Sequence, residues 1–201
     1  WQSSNSYCHA YIGGEVFTHD SLPYSNEEVV LFDMKGSALA DTVAMTHTAS
    51  DGSYFFDNQT LGDYLIMVKP NDTSIYTPIY YPSDAIWMDA DSLSLLSDTL
   101  GLDIHMIDFS SPLTGFTGTG KISGIIKEGN SLLRSPGDPL QGIIISLYNL
   151  SSDDVVGVDQ SDSLGEFVFD GVAPGDYSVI PDVTGVPVDT SSLNQISVGS
   201  S

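Results

Sequence analysis

Closely spaced aspartates are the residues best suited to chemistry in this sequence. The pairs are Asp89 with Asp91, Asp153 with Asp154, and Asp159 with Asp162. Ca²⁺ takes about six to eight oxygen ligands, mostly from carboxylates and carbonyls. None of the pairs has the ligand spacing of an EF-hand loop, and aspartates are also common in solvated turns. We therefore treat the six residues as candidate calcium ligands with turn residues as the alternative, and we expect no other cofactor.

Five short motifs place a hydroxyl residue after an aspartate and before an apolar residue. The hydroxyl residues are Ser21, Thr42, Ser92, Thr99 and Ser163. The pattern resembles the O-glycosylation acceptor of Bacteroidetes, and this resemblance implies sugars on those five side chains. A chain so rich in aspartate, serine and threonine would hold roughly two such motifs by chance, so the excess favours modification.

An aromatic cluster occupies residues 75–91 and contains Tyr76, Tyr80, Tyr81 and Trp87. Aromatic rings exposed on a β-sheet protein offer apolar surface with a polar handle, which suits glycan binding. The alternative is that these rings pack against the edge of a hydrophobic core. Both interpretations are open from the sequence, and core packing is the favoured one.

Catalytic signatures are absent from the sequence. His9, His19, His47 and His105 all lie in the first half, and no nucleophile-elbow sequence surrounds any serine. No phosphate-binding loop or dinucleotide fingerprint is present either. Cys8 is the single cysteine, so neither an internal disulfide nor a Cys/His metal framework can form. We predict a protein that is not an enzyme.

The net charge limits the partners. The chain has 27 acidic and 5 basic residues among 201, for a net charge of −22, and 41% of its residues are hydrophobic. Such a chain is globular rather than disordered, and its field repels nucleic acids and anionic membranes. No apolar run approaches the roughly 20 residues of a membrane-spanning helix. We expect no nucleic-acid partner, no membrane insertion, and a processed chain or fragment, because Trp1 stands first.

An internal repeat is the most informative feature of the sequence. The first copy contains Asp51-Gly52-Ser53-Tyr54-Phe55-Phe56 and Leu61-Gly62-Asp63-Tyr64-Leu65-Ile66. The second contains Leu164-Gly165-Glu166-Phe167-Val168-Phe169 and Pro174-Gly175-Asp176-Tyr177-Ser178-Val179. Two earlier elements, at residues 11–17 and 29–33, recur in the same order at 121–126 and 144–149. Four landmarks in one order indicate a duplicated unit.

Each copy reads as a series of β-strands. Aromatic residues alternate in Tyr54/Phe56 and Phe167/Phe169, which places them on one face of a strand. Gly52 and Gly165 suit turns that need a positive φ. Tyr64 and Tyr177 are placed like the corner tyrosine of a β-sandwich, which packs inward and forms a hydrogen bond through its hydroxyl. The sequence thus predicts an all-β fold of two tandem immunoglobulin-like, transthyretin-type sandwich modules.

The predicted boundaries give module one residues 1–113, with an aromatic extension at 75–91, and module two residues 121–201. A flexible Gly/Thr linker is predicted at 114–120. Strands at Leu93–Leu95 and Leu102–Ile107 should complete module one, and 193–198 should supply the first equivalent in module two. The second equivalent has no counterpart before Ser201. We therefore expect that the natural protein continues or that a partner supplies the missing strand.

Module two resembles known surface modules. The residues concerned are Ile122-Ser123-Gly124, Pro139-Leu140-Gln141-Gly142-Ile143, Leu147-Tyr148, Gly165-Glu166-Phe167-Val168-Phe169 and Pro174-Gly175-Asp176-Tyr177. They resemble the B-type repeats of serine-aspartate-repeat adhesins and equally the carboxypeptidase regulatory-like, transthyretin-type sandwiches. The stretch Tyr80-Tyr81-Pro82 to Trp87 and Ala90 is similar to large Bacteroidetes surface proteins exported by the type IX route.

This resemblance implies an extracellular or cell-surface location and a modular stalk or filament. We predict a structural or adhesive, non-catalytic module of a secreted surface protein. Its expected partners are neighbouring modules or copies of the same protein, joined in one version by strand addition. The alternative is a carbohydrate-binding module that uses Tyr76, Tyr80, Tyr81 and Trp87.

Overall fold

The computed structural model describes residues 9–34, 41–72, 75–108, 117–129, 137–184 and 195–199. Cys8 and positions 114–116 of the predicted linker lie outside the described residues. The described part consists of β-strands, turns and bends without a helix, so the all-β prediction is confirmed. It also contains no helix of the length and apolarity that crossing a bilayer requires. The chain divides into two compact units, Trp1–Asp108 (unit one) and Phe109–Ser201 (unit two).

Unit one contains two sheets. Its strands are β1 (His9–Phe17), β2 (Glu28–Asp33), β3 (Asp41–His47), β4 (Ser53–Thr60), β5 (Gly62–Lys69), β6 (Ile79–Tyr80), β7 (Leu93–Leu95) and β8 (Ile104–His105). One sheet has the order β4-β1-β8, and the other has the order β3-β2-β5-β6, with β7 also paired to β5. β1 runs antiparallel to β4 and parallel to β8. The strand predicted at Leu102–Ile107 is a strand over Ile104–His105, while Leu102 and Met106 also donate N–H groups to carbonyls of β1 at 3.2 and 2.8 Å.

Unit two repeats this arrangement with fewer strands in its described part. They are β9 (Gly120–Ile125), β10 (Ile144–Asn149), β11 (Asp154–Gln160), β12 (Glu166–Val172), β13 (Gly175–Asp182) and β14 (Ile196–Val198). The sheets have the orders β12-β9 and β11-β10-β13-β14. β14 pairs with the start of β13 just as β7 pairs with the start of β5, so the predicted equivalence of 193–198 to 93–95 holds for Ile196–Val198.

The turn before the aromatic strand is the same in both units. Gly52 has a φ of 82° and Gly165 a φ of 75°, as the sequence predicted. The N–H of Gly52 donates to the carbonyl of Ala49 at 3.0 Å, and that of Gly165 donates to Asp162 at 2.9 Å. Since a side chain at positive φ would be strained, glycine fixes the register of β4 and β12.

The corner tyrosines also form the bonds expected from the sequence. The Tyr64 hydroxyl donates to the carbonyl of Thr60 at 2.6 Å, and the Tyr177 hydroxyl donates to that of Ala173 at 3.0 Å. Each tyrosine is 1% exposed. Each bond spans four residues and ties the start of a core strand to the preceding corner, which satisfies a carbonyl that the corner would otherwise leave without a partner.

Side-chain alternation builds the cores. In unit two the core consists of Ile122, Ile145, Leu147, Val156, Phe167, Phe169, Val172 and Tyr177. Unit one has a second cluster on β2 and β5, which contains Val30, Phe32, Leu65, Met67 and Tyr80, with Trp87 and Ala90 packed against it. The extension at 75–91 therefore contributes apolar contacts to this cluster.

The end of the predicted linker differs from the expectation. Residues 117–119 form bends, and β9 already begins at Gly120. The N–H of Gly118 donates to the carbonyl of Gly171 at 2.8 Å, and a Cβ on Gly118 would stand 2.3 Å from the carbonyl oxygen of Val172. Glycine is thus used here for close packing within unit two rather than for free rotation.

Candidate functional site

A segment of unit one covers the edge of β1 that faces away from β4. We call residues 98–106 the closing segment. The N–H of Thr99 donates to the carbonyl of Tyr11 at 2.8 Å, and the N–H of Gly13 donates back to Thr99 at 3.0 Å. Farther along, Val16 pairs with Ile104 in parallel register. The backbone groups on this edge of β1 are thereby satisfied.

Two aspartates of the closing segment bond to the same edge. A carboxylate oxygen of Asp98 accepts the N–H of Tyr11 at 3.0 Å, and one of Asp103 accepts the N–H of Glu15 at 3.1 Å. Carboxylates that accept backbone N–H groups form stronger bonds than neutral acceptors. These aspartates, which the sequence did not single out, fix the position of the segment along β1.

A close approach locks the middle of the closing segment. A Cβ on Gly14 would stand 2.1 Å from the carbonyl oxygen of Leu102, so only glycine leaves room there. The Tyr54 hydroxyl donates to that same oxygen at 2.6 Å, and burial raises the pKa of Tyr54 well above its usual value. The hydroxyl therefore remains a donor across the physiological pH range.

The matching edge of β9 in unit two has no such strand in the described part of the chain. β9 pairs there with β12 alone. The N–H of Val168 points away from β9, because it donates to the Asp159 carboxylate at 2.7 Å. Antiparallel strands alternate bonded and non-bonded pairs, so the backbone groups of Ser123, which faces Val168, point away from β12. The edge carried by Lys121, Ser123 and Ile125 is the candidate functional site.

A groove of about 640 Å³ extends from β9 across β12 to Asp159 and Asp162. Lys121, Ile125, Asp159, Glu166 and Val168 are among the residues that line it. Ile125 and Val168 are about half exposed, at 50% and 45%. Within the described residues, the edge therefore combines backbone groups that have no partner strand with apolar side chains, an ammonium group and nearby carboxylates. Open backbone groups of this kind suit an extended peptide.

The structure gives three of the six candidate calcium ligands local hydrogen-bond partners. Asp162 accepts the N–H groups of Leu164 and Glu166, and Asp159 accepts those of Gln160 and Val168. These bonds are typical of aspartates that cap turns.

The other four aspartates have one such bond among them. Asp153, at a φ of 58°, accepts the Tyr148 hydroxyl, while Asp154 is exposed at the start of β11. Asp89 and Asp91 are exposed; after burial, their charges are the next causes that raise the pKa of Asp84. The described residues include no group of three or more His, Cys, Asp or Glu placed to hold a metal ion. Calcium binding by the three pairs stays a prediction.

The aromatic cluster is mostly part of the core. Tyr76 is 7% and Tyr80 2% exposed, and Trp87 is partly buried against the cluster on β2 and β5. Tyr81 is also partly buried. The four rings therefore do not form the exposed platform that the glycan-binding alternative requires, because the apolar face of the sheet draws them inward.

The predicted glycosylation sites are mostly accessible. Ser21, Thr42, Ser92 and Ser163 are exposed. Thr99 is half-buried in the closing segment, where its hydroxyl donates to the carbonyl of Ser97 at 2.9 Å. A sugar on Thr99 would have to fit beside β1, so we expect the other four hydroxyls to be the better acceptors.

One histidine has a polar environment that the sequence did not predict. His19 Nδ1 lies 3.0 Å from the Tyr76 hydroxyl, and Nε2 lies 3.2 Å from Asp20 and 3.7 Å from Asp108. Burial is the main cause that raises the pKa of Tyr76, so this hydroxyl stays protonated rather than acting as a nucleophile. The group joins residues about 60 to 90 positions apart, which no local motif could reveal.

No protein-family model matches the chain. The chain is 26% identical over 164 residues to Colossin-A of Dictyostelium discoideum; the match covers 81% of this chain and only 1% of that protein. Among solved structures it is similar to a streptococcal ancillary pilin, with 14% identity, a TM-score of 0.33, and coverage of 98% of this chain and 60% of that chain. It is also similar to the shaft pilin SpaA from Lactobacillus rhamnosus GG, with 12% identity, a TM-score of 0.35, and coverage of 96% and 95%. At these identities and TM-scores, none of the likenesses carries an argument about activity or partners.

Proposed function

We propose that the chain is a non-catalytic structural module of an extracellular or cell-surface protein, which spaces or joins neighbouring modules. The observation that carries the proposal is the duplication itself. Both units have the glycine turn and the corner tyrosine in common. They also share the order of one sheet, β3-β2-β5 in unit one and β11-β10-β13 in unit two, which we call the central sheet. A scaffold that is repeated for its stabilising contacts, rather than for a set of reactive groups, is typical of proteins that extend or display.

The strands themselves suit a load-bearing role. β1 and β4 pair over most of their length, as do β9 and β12, so pulling on the chain must break several backbone bonds together. The acidic excess keeps such a chain soluble outside the cell and keeps anionic surfaces at a distance. Glycosylation of Ser21, Thr42, Ser92 and Ser163 is a further part of this proposal. An intact mass of native material equal to that of the bare polypeptide would refute the glycosylation.

Stretching the full chain between two handles tests the structural role. Two unfolding steps are expected, each releasing on the order of 300 Å, because about 100 residues extend by roughly 3.3–3.6 Å each. Antibodies against the chain should also label intact cells of its source organism. The proposal would be contradicted if both units unfolded at forces near the detection limit of the instrument. It would also be contradicted if the antibodies labelled the cells only after lysis. Turnover of any substrate in a hydrolase screen would contradict its non-catalytic part.

A further inference from the structure

The core of unit two is less covered on the side where unit one has its closing segment. Val16 is 0% exposed, whereas Ile126, whose N–H makes the equivalent bond to the glycine turn, is only partly buried. Leu95 is also 0% exposed, and its equivalent Val198 is partly buried. The described part of unit two thus leaves apolar surface open at one side of its core.

The same difference in side-chain burial recurs on the central sheet. Leu31 pairs with Ile66 in unit one, and the equivalent Leu147 pairs with Val179 in unit two. Ile66 is 1% exposed, whereas Val179 is only partly buried. Leu102, Ile104 and Met106 of the closing segment are 6%, 0% and 2% exposed, so unit one buries three alternate side chains there. An occupant of unit two should bring a similar apolar row.

Two lysines stand beside the β9 edge. Lys121 and Lys127, which are both exposed, stand near the start of β9 and just beyond its end. They are two of only 5 basic residues in the chain, and their equivalents in unit one are Tyr11 and Phe17. The groove has the carboxylates of Asp159, Asp162 and Glu166 beside Lys121. The carboxylates of the ligand are therefore inferred from the Asp98 and Asp103 contacts in unit one and not from the local charge.

The ring of Phe167 occupies the place that the closing segment has in unit one. Its nearest atoms lie 2.7 Å from where a Cβ on Gly124 would stand, whereas Gly14 has the Leu102 backbone at that point. Phe167 is the equivalent of Tyr54, since the two pair with Gly124 and Gly14. A strand that enters must turn the ring aside, and the ring then becomes a reporter of binding.

We propose that the β9 edge of unit two binds an extended acidic peptide segment, which adds as a strand parallel to β9. The ligand has two carboxylates five positions apart, as Asp98 and Asp103 are, and apolar residues at three alternate positions. Its carboxylates accept the N–H groups of Lys121 and Ile125, and its backbone bonds to Ser123. This inference deepens the proposed function and rests on it, because strand addition would join the module to a neighbour.

The probe is a synthetic peptide with the sequence of residues 97–108, titrated into the isotope-labelled full chain and followed by NMR. The expected result is saturable shifts of the amides of Lys121, Ser123 and Ile125 and of the Phe167 ring. Ser123→Pro removes an edge N–H that does not bond to β12, so the affinity should fall at least tenfold while the fold persists. The matched control Ser123→Ala keeps the N–H and should bind within about twofold of the parent.

Two further variants test the chemistry. A peptide with Ile104→Asp should bind at least tenfold more weakly, because its charge would enter the apolar row. Phe167→Tyr in the protein should tighten binding severalfold, because its hydroxyl can donate to the peptide carbonyl as Tyr54 does in unit one. Both expectations follow from burial and hydrogen bonding at one position.

Four results would overturn the inference. The first is the absence of shifts at about 1 mM peptide, which corresponds to a binding free energy weaker than about −4 kcal/mol. The second is equal binding of the peptide by the parent and by Ser123→Pro. The third is a set of shifts confined to β1, which would mean that the peptide exchanges with the closing segment. Self-association of the chain that Ser123→Pro abolishes would assign the edge to a second copy and would also overturn it. None of these results alters the two unfolding steps or the surface labelling, so the proposed function can stand when this inference fails.

Discussion

Unit one and unit two build the same central sheet but differ in what covers the first strand. The register of β2 with β3 slips at Val43, and that of β10 with β11 slips at Val156. Even a small contact repeats: Ser94 donates to Asp63 at 2.7 Å, and Ser197 donates to Asp176 at 2.6 Å. Only β1, however, has a parallel partner in the described part of the chain.

This difference teaches that the scaffold and its closure are separable. The contacts that define the scaffold lie within each unit's first five strands, from the glycine turn to the corner tyrosine. The closing segment adds main-chain bonds, two carboxylate caps and three buried side chains to an edge that is already formed. The edge of β9, which has no strand partner other than β12 in the described part of the chain, is therefore preorganised to accept one.

Alanine at the two equivalent glycines should have the largest effect and separate the units most clearly. Gly14→Ala forces a methyl group against the Leu102 backbone and should destabilise unit one by about 3 kcal/mol. Gly124→Ala meets only the tip of the Phe167 ring, which can move, so the expected cost is about 1 kcal/mol or less. Urea unfolding followed by tryptophan fluorescence reports unit one, since Trp87 packs against its cluster on β2 and β5.

The methyl resonances of Ile122 and Ile145 report unit two in the same titration. Equal losses of stability in the two units would show that the closing segment does not constrain Gly14 as described. A larger loss in unit two would reverse the comparison.

Removal of the corner hydroxyls should have a smaller and more similar effect. Tyr64→Phe should cost about 1–2 kcal/mol and Tyr177→Phe about 1 kcal/mol, because each leaves a carbonyl without its donor. The Tyr64 hydroxyl also lies 3.1 Å from the Thr60 hydroxyl, which accounts for the larger value. Thermal unfolding of each variant, with Tyr11→Phe as the exposed control, measures the difference. A cost for the control equal to that of Tyr64→Phe would contradict the assignment.

Alkaline pH should weaken unit one more than unit two. Burial, and then the Glu27 carboxylate, raises the pKa of Tyr24 to about 12. The folded state holds this proton more tightly than the unfolded state, in which the pKa is about 10. The contribution of Tyr24 to stability is therefore complete below about pH 10 and is lost as the pH rises towards 12.

The test is the urea midpoint of each unit between about pH 8 and 11.5. Tyr24→Phe should flatten the pH dependence of unit one and leave that of unit two unchanged. Burial also raises the pKa of Tyr54 and Tyr76 in unit one and of Tyr177 in unit two, so some slope remains in both. A steeper slope for unit two would contradict the prediction.

The smallest effect is expected at the repeated serine–aspartate contact. Ser94→Ala and Ser197→Ala each remove an exposed hydrogen bond between β7 or β14 and the neighbouring strand. Each substitution should cost about 0.5 kcal/mol, because water replaces the lost partner. Hydrogen exchange of the amides in β5 and β13 would detect it. Losses above about 2 kcal/mol in one unit alone would mean that the two short strands are not equivalent.

The sequence predicted the features that depend on local chemistry. Gly52 and Gly165 were recognised because a turn needs a positive φ, and Tyr64 and Tyr177 because a buried hydroxyl needs a nearby acceptor. Both requirements act within a few residues, so they leave a pattern that repeats at one offset.

What the sequence could not give is the pairing of distant segments. The parallel contact of Val16 with Ile104 joins positions about 90 residues apart, and no residue type marks parallel addition. The caps at Asp98 and Asp103 were missed for the same reason, and the inward packing of Tyr76 and Tyr80 depends on a sheet face that only the fold creates.

Some aspartates stabilise the fold as acceptors of main-chain N–H groups, in addition to contributing negative charge. Asp98, Asp103, Asp159 and Asp162 bond as acceptors, and an asparagine side chain also offers an acceptor oxygen. Four of the negative charges could thus be neutralised one at a time while the turns keep their geometry. Electrostatic repulsion between modules could then be tuned independently of the architecture, which would give a designer of protein fibres a way to adjust how closely they bundle.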